Sequence, residues 1–154
     1  LSIIESFIPF PFIAPGAKLG LSNMVILTTL VVIGFKEALI VGILKSIVYA
    51  LATGAFSGLP YSLLGSILSC IVMYLVFKYL SNIFSLIGVS IFGAIAHNSA
   101  QVLVASLMIN NFKMFSYLPI LLLTSLFTGY FIGLTSMFIC NNLKKHLPKL
   151  YDSN

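Results

Sequence analysis

Residues 115–140 read FSYLPILLLTSLFTGYFIGLTSMFIC, a continuous run without a charged side chain. A helix needs about 20 apolar residues to cross the hydrocarbon core of a bilayer, so this stretch predicts a transmembrane helix. The 154-residue chain as a whole is 60% hydrophobic and only 7% charged, whereas soluble domains carry roughly 25% charged residues. The composition therefore excludes a water-soluble globule and predicts a polytopic membrane protein with one domain, residues 1–154.

Six apolar segments follow one another along the chain, and we predict an all-α bundle of six membrane helices. The runs are continuous and lack the alternation of a membrane β-barrel. The chain begins at Leu1 without Met and is already apolar, so we expect a truncated first helix. A signal-like segment is the alternative for that stretch, but Pro9 and Pro11 end it and no small-residue cleavage pattern follows. The predicted segments are residues 1–10, 23–34, 38–53, 61–77, 86–109 and 115–140.

A Pro/Gly-rich stretch, PFPFIAPGAKLGLS (residues 9–22), separates the first two segments and predicts a loop or re-entrant segment. If the helices alternate in direction, five lysines share one end of the bundle, and we assign Lys45 nearer to that end. Lysines concentrate on the cytoplasmic side, so we expect a cytoplasmic C-terminus, a charged tail at LKKHLPKLYDSN (residues 143–154) and an outer Pro/Gly loop. The five lysines are Lys36, Lys78, Lys144, Lys145 and Lys149, and those opposite are Lys18 and Lys113.

The charged residues exclude several catalytic classes. All eight basic residues are lysines, and the only acids are Glu5, Glu37 and Asp152. An Asp-rich prenyl transferase needs clustered carboxylates, and ATP hydrolysis by the P-loop route needs a G-x-x-x-x-G-K-[ST] motif that is missing here. We therefore predict a protein that is not an enzyme and has no catalytic residues, metal or cofactor. The lysines of the tail fit an anchor on anionic lipids better than a nucleic-acid site.

Three polar residues lie within the fifth segment, in GAIAHNSAQVLVASL. His97 and Gln101 are four residues apart and share a helical face, with Asn98 beside them. Polar groups at membrane depth usually face a bundle interior or a cavity. Hydrogen bonding between helices is one explanation, but the clustering of three such side chains favours a ligand-facing site.

Lys18 and Asn23 complete the predicted site. Lys18 lies between two glycines of the Pro/Gly loop and offers a point charge for a phosphate or carboxylate, although an ordinary surface lysine or a bridge to Glu5 would also fit. Asn23 opens the second segment and could equally be a helix N-cap. We expect both to face one cavity with His97, Asn98 and Gln101.

Three further features are assigned to packing. Cys70 and Cys140 each lie in an apolar segment without C-x-x-C spacing, so we predict buried packing residues. Gly129 and Gly133 form a G-x-x-x-G pair that suits close helix contact within the bundle.

Four stretches together resemble the Gx transporter family, whose members are often labelled heptaprenyl diphosphate synthase component I. They are ESFIP (residues 5–9), PGAKLGLSN (15–23), GFKEAL (34–39) and AHNSAQ (96–101). That family is in turn similar to the substrate-binding S components of energy-coupling-factor transporters, which are six-helix membrane proteins with a first outer loop over the substrate. The resemblance implies a bacterial cell-membrane protein. It maps Lys18 and Asn23 onto the loop and second helix, and His97, Asn98 and Gln101 onto the fifth.

Two functions therefore compete. The first is a solute-binding membrane subunit for uptake of a small vitamin or precursor, powered by partner transmembrane and ATPase subunits. The second is a non-catalytic membrane partner of prenyl diphosphate or quinone synthesis, or of flavin-linked electron export, which anchors a soluble enzyme such as a prenyl synthase. A membrane lipid environment and the absence of nucleic acid are common to both.

Overall fold

The computed structural model describes residues 21–54 and 56–146, without the side chains of residues 21 and 144. This part of the chain is all-α, which confirms the predicted class. Its five α-helices are α1 (Leu21–Val32), α2 (Phe35–Thr53), α3 (Leu59–Leu80), α4 (Leu86–Met108) and α5 (Leu118–His146), with short 3₁₀ turns at Phe56–Gly58 and Phe112–Tyr117. The predicted first helix, residues 1–10, and most of the Pro/Gly loop lie outside the described residues.

Consecutive helices run antiparallel. Gly42 of α2 lies against Ile26 of α1, and Gly65 of α3 lies against His97 of α4. Short turns reverse the chain between them. Gly34 adopts φ 142° between α1 and α2, and Gly54 adopts a left-handed φ of 66° after α2. Such backbone angles are accessible to glycine at little steric cost, so these two residues place the helix ends.

The observed bounds correct three predictions. Helix α2 begins at Phe35 rather than at residue 38, because the break falls at Gly34 and the charged pair Lys36–Glu37 is part of the first turn. Helix α3 runs from Leu59 to Leu80, beyond the predicted 61–77. Helix α5 continues to His146, through lysines that we placed in a tail, because lysine is a good helix former.

Three helical stretches are long and apolar enough to cross a membrane, counted over the described residues: Phe56–Leu80, Leu86–Met108 and Phe112–Leu143. Helix α1 is a shorter apolar helix. This is consistent with a membrane protein. Large apolar side chains are accordingly exposed along the outer surfaces of the helices, for example Leu123, Phe127 and Phe138 on α5.

The core lies where α1 to α4 meet, and it is built from a mixture of apolar and small side chains. Both cysteines are buried, as predicted. The hydrophobic cluster consists of Ile26, Leu27, Leu30, Ala38, Cys70, Met73, Val76 and Val89. Buried serines occupy the remaining contacts between helices, and they are Ser46, Ser66, Ser69, Ser90, Ser106, Ser125 and Ser136.

The G-x-x-x-G pair makes the contact between α4 and α5. A Cβ on Gly129 would lie 2.7 Å from the Cα of Ile91, and one on Gly133 would lie 2.5 Å from the Cα of Ile87. Both distances are to backbone atoms, which cannot move aside alone. The predicted role of this pair within the bundle is confirmed.

We expect Gly133→Ala to lower the stability of the bundle by about 1–3 kcal/mol, because the new methyl group must separate α5 from α4. Thermal unfolding in detergent micelles, followed by the circular dichroism of the helices, measures this. Gly58→Ala is the matched control, since its Cβ would meet nothing within 4 Å. An unchanged unfolding midpoint for Gly133→Ala would contradict the close approach of the two helices.

Candidate functional site

Buried and half-buried polar side chains from all five described helices form a band across the bundle, which we call the polar layer. The antiparallel pairing of the helices forms this layer, because the polar residues of each helix lie level with polar residues of the neighbouring helix. On α2 it lies ten or eleven residues after Phe35, where that helix begins, which is about 15 Å along the helix axis. The members are Ser22, Asn23, Lys45, Ser46, Ser62, Ser66, His97, Asn98, Gln101 and Ser125.

The first part of the layer joins α1 to α2. The Lys45 ammonium donates to Ser22 Oγ and to Asn23 Oδ1, both at 2.9 Å. Asn23 is only 4% exposed. It lies in the first turn of α1, which begins at Leu21, and its side-chain oxygen accepts from Lys45. The N-cap alternative for Asn23 is therefore wrong.

The contact also corrects the position of Lys45. We assigned this lysine to the end of the bundle that carries Lys36, but its ammonium reaches the opposite end of α1, where that helix begins. The reason is the register of the two antiparallel helices: Gly42 lies against Ile26, so Lys45, three residues later on α2, lies level with Asn23 in the first turn of α1.

The second part of the layer joins α2 to α3 through three serines. Ser46 Oγ lies 3.0 Å from Ser62 Oγ and 3.4 Å from Ser66 Oγ. Ser46 also donates to the carbonyl of Gly42, and Ser66 donates to the carbonyl of Ser62. Hydroxyls that bond their own helix satisfy themselves in an apolar interior, so these serines mainly allow close packing of the two helices.

The third part joins α3 to α4. Gln101 and His97 are hydrogen bonded, with 3.1 Å between Gln101 Nε2 and His97 Nε2. With the amide assigned in this way, the glutamine donates to the imidazole, which places the ring proton of a neutral His97 on Nδ1. The imidazole fills the space above Gly65, where a Cβ would lie 2.8 Å from the ring Cε1. His97 is 6% exposed.

Asn98 faces a different helix. Its amide donates to Ser125 Oγ at 2.7 Å and to the Leu121 carbonyl at 3.3 Å. Ser125 Oγ in turn lies 2.7 Å from the same carbonyl. Asn98 thus links α4 to α5, while His97 and Gln101 interact on the α3 side of α4.

The structure therefore brings only two of the predicted residues, His97 and Gln101, into direct contact, and it pairs Asn23 and Asn98 with residues that were not predicted. His97 is bonded to Gln101, Asn23 is bonded to Lys45, and Asn98 is engaged with α5; Lys18 lies outside the described residues. A shared cavity for the five predicted residues stays a prediction. Sequence reasoning missed Lys45 as a site residue, although a single lysine amid the apolar residues 38–53 was a usable signal.

Within residues 21–54 and 56–146, no group of three His, Cys, Asp or Glu side chains could hold a metal ion. Glu37 is the single acid of these ranges, and it lies in the first turn of α2. Its carboxylate is near Gly34, 3.2 Å from the position of a Cβ there. The arrangement can hold a polar or anionic group by hydrogen bonds and charge, and the described residues offer no clustered carboxylates for metal chemistry.

An all-α fold with three potential membrane spans and a polar layer between its helices defines a membrane-type helical bundle. The sequence model of the family described as heptaprenyl diphosphate synthase component I matches residues 1–139. The chain belongs to this family, as its motifs predicted. No match is found among curated proteins or solved structures, so the likeness to transporter S components stays a prediction.

A double-mutant cycle tests whether Asn98 is a structural link. We expect Asn98→Ala and Ser125→Ala each to lower the free energy of unfolding, with a coupling energy of about 0.6 kcal/mol, typical of polar pairs in membrane bundles. The measurement is unfolding of the single and double variants in mixed micelles. Gln101→Ala with Ser125→Ala is the control pair, because Gln101 bonds to His97 and Ser125 bonds to Asn98, so their effects should add. Additive effects for Asn98 and Ser125 would contradict the link.

Proposed function

We propose that this chain is the non-catalytic membrane component of a prenyl diphosphate synthase, and that it works with a separate catalytic chain. The observation that carries this proposal is the family match over residues 1–139, because the family's description names one component of a heptaprenyl diphosphate synthase. A first component implies at least one other. Membership in this family supports the partner function more directly than it supports solute uptake.

The chemistry of the reaction favours a division of labour. Prenyl transfer ionises an allylic diphosphate, and metal ions held by carboxylates stabilise the charge that develops. The chain has three acids in 154 residues, and only Glu37 lies among the described residues. Metal-dependent catalysis would therefore belong to the partner, and this chain would supply a membrane-bound platform for a reaction whose product is strongly apolar.

One end of the bundle is suited to hold that partner, and we call it the basic end, defined by Lys36, Lys78 and Lys145. Lys36 follows Phe35, whose ring contacts Tyr74 with 4.5 Å between centroids, and Lys78 donates to the Tyr74 hydroxyl at 3.2 Å. Lys145 lies beyond the point where α5 meets the start of α4. All three lysines are exposed. We propose that this end faces the cytoplasm of a bacterial cell and contacts an acidic surface of the soluble synthase.

The purified chain alone should form no product from an allylic diphosphate, isopentenyl diphosphate and magnesium. Co-expression with a soluble chain that carries the Asp-rich prenyl transferase motifs should yield a membrane-bound complex that forms a long-chain product. Replacing Lys36, Lys78 and Lys145 by Glu should release that chain from the membrane, since like charges repel across the contact. Lys113→Glu, an exposed change outside the basic end, is the control. Product formation by the chain alone, or retention of the partner by the triple variant, would refute the proposal.

Solute binding for uptake, with energy from partner ATPase subunits, is the second candidate, and the polar layer is the observation that favours it. Selective pockets combine apolar walls with a few converging polar groups, and His97 with Gln101 supplies such groups inside the bundle. This candidate predicts that a small molecule remains bound after purification.

Gln101→Leu should then weaken retention of that molecule by about 1–3 kcal/mol, the cost of an unsatisfied buried partner, without unfolding the bundle. Native mass spectrometry of the solubilised protein measures the retained mass. Thr135→Ala, which removes an exposed hydroxyl bonded to the Phe131 carbonyl, is the control. Equal retention by the Gln101 variant would argue against this candidate.

A further inference from the structure

The turn between α3 and α4 leaves a large apolar side chain uncovered at the basic end. Helix α3 ends at Leu80 and α4 begins at Leu86. The N–H groups of Ile83 and Phe84 both donate to the Leu80 carbonyl, at 3.0 and 2.9 Å, which fixes the turn. The Phe84 ring contacts Phe92 of α4 edge to face, with 5.3 Å between centroids. Ile83, the neighbour of Phe84, is 73% exposed.

A lysine ammonium is held in place just before this turn. Lys78 lies in the last turn of α3, and its ammonium donates to the Tyr74 hydroxyl at 3.2 Å. It also lies 5.5 Å from the centre of the Tyr74 ring and 5.7 Å from that of Tyr79, within the range of a cation–π attraction. A long side chain that is already held loses less conformational freedom when it binds. The ammonium is therefore positioned in advance for a carboxylate.

The turn lies beyond the apolar part of a bilayer. Helix α3 has 22 residues and is about 33 Å long, whereas the hydrocarbon core is about 30 Å thick. Lys78 marks the end of this span, and the turn follows it with the exposed polar residues Ser81 and Asn82. Ile83, in the same turn, and Tyr79, which is 70% exposed, therefore lie at the membrane surface.

The charges at this end favour an acidic partner. The described lysines of the basic end are Lys36, Lys78 and Lys145, and the single acid among the described residues is Glu37. Complementary charge orients a partner and speeds its approach, while a few well-buried anchors, often aromatic, carry most of the binding energy. Tyr79 and Ile83 supply such anchors beside the held ammonium of Lys78.

We propose that Lys78, Tyr79 and Ile83 form a docking patch for the soluble catalytic chain of the synthase. The matching surface of that chain would be an apolar pocket bordered by carboxylates, in which Tyr79 and Ile83 are buried while the Lys78 ammonium pairs with a carboxylate. This inference rests on the proposed function and names the residues and the surface chemistry of its contact.

Binding of the soluble chain from the co-expression experiment to this protein in nanodiscs tests the apolar anchor. Ile83→Ser should raise the dissociation constant about tenfold or more, as expected for a central anchor. Ile109→Ser is the matched control, since Ile109 is also exposed but follows the other end of α4, and its affinity should stay within about twofold of the native value. Equal affinity of the Ile83→Ser and native chains would overturn the docking patch alone, whereas no binding by the native chain would overturn the proposed function with it.

Association rates test the charged contact. Lys78→Gln should slow association about threefold or more at low salt, and this effect should vanish in about 1 M salt, where charges are screened beyond about 3 Å. Lys113→Gln, which removes an exposed lysine outside the basic end, should leave the rate unchanged. Equal association rates for the Lys78→Gln and native chains at low salt would overturn the pairing of Lys78 with a carboxylate.

A dye at position 83 distinguishes a protein partner from lipid. Both native cysteines are buried, so an environment-sensitive dye attaches to the thiol introduced by Ile83→Cys. In nanodiscs of phosphatidylcholine and phosphatidylglycerol the dye should emit as it does in water, and addition of the soluble chain should shift the emission to shorter wavelength. Short-wavelength emission before that addition would mean that lipid covers the turn, and it would overturn the proposal.

Discussion

A lysine ammonium inside an apolar bundle requires oxygen acceptors within reach, and the packing of the helices must bring those acceptors to it. Lys45 meets this requirement through Ser22 and Asn23, which ties the first turn of α1 to the middle of α2. This contact agrees with the register that the packing of Gly42 against Ile26 gives the two helices. The polar layer extends from it across the other helices.

Close approach of the helices depends on small residues. Lipid tails are as apolar as leucine, so burial of apolar surface does little to draw membrane helices together, and packing of small side chains with occasional hydrogen bonds takes its place. Gly42, Gly65 and Gly133 admit an isoleucine, an imidazole and a helix backbone respectively. Ser46 and Ser66 serve the same end, because their hydroxyls are satisfied by their own helix or by a facing serine.

The charged residues of this chain indicate which kinds of ligand and partner it could bind. Acids are scarce and dispersed, while lysines gather at an exposed end and one lies inside the bundle. A protein of this composition is poorly suited to hold catalytic metal ions and well suited to hold anions or acidic partners. The chain belongs to the family described as heptaprenyl diphosphate synthase component I, and this composition fits the proposed partnership with a separate catalytic chain.

The sequence alone determined the all-α class and the approximate position of each described helix. In lipid, a long apolar run must satisfy its backbone hydrogen bonds internally, and a helix does this within one segment. The sequence also identified the G-x-x-x-G contact and the polar residues of α4, since both depend on spacing along a single helix. Helix ends were less predictable: the break at Gly34 and the extension of α5 through its lysines depend on backbone angles and capping that periodicity does not encode.

Which polar residues meet was decided by the tertiary structure. His97, Asn98 and Gln101 look like one cluster in sequence, yet Asn98 bonds to α5 while His97 and Gln101 bond to each other beside α3. Adjacent residues on a helix point about 100° apart, so neighbours in sequence serve different partners. Lys45 and Asn23 are 22 residues apart, and only the antiparallel pairing of α1 with α2 brings them together.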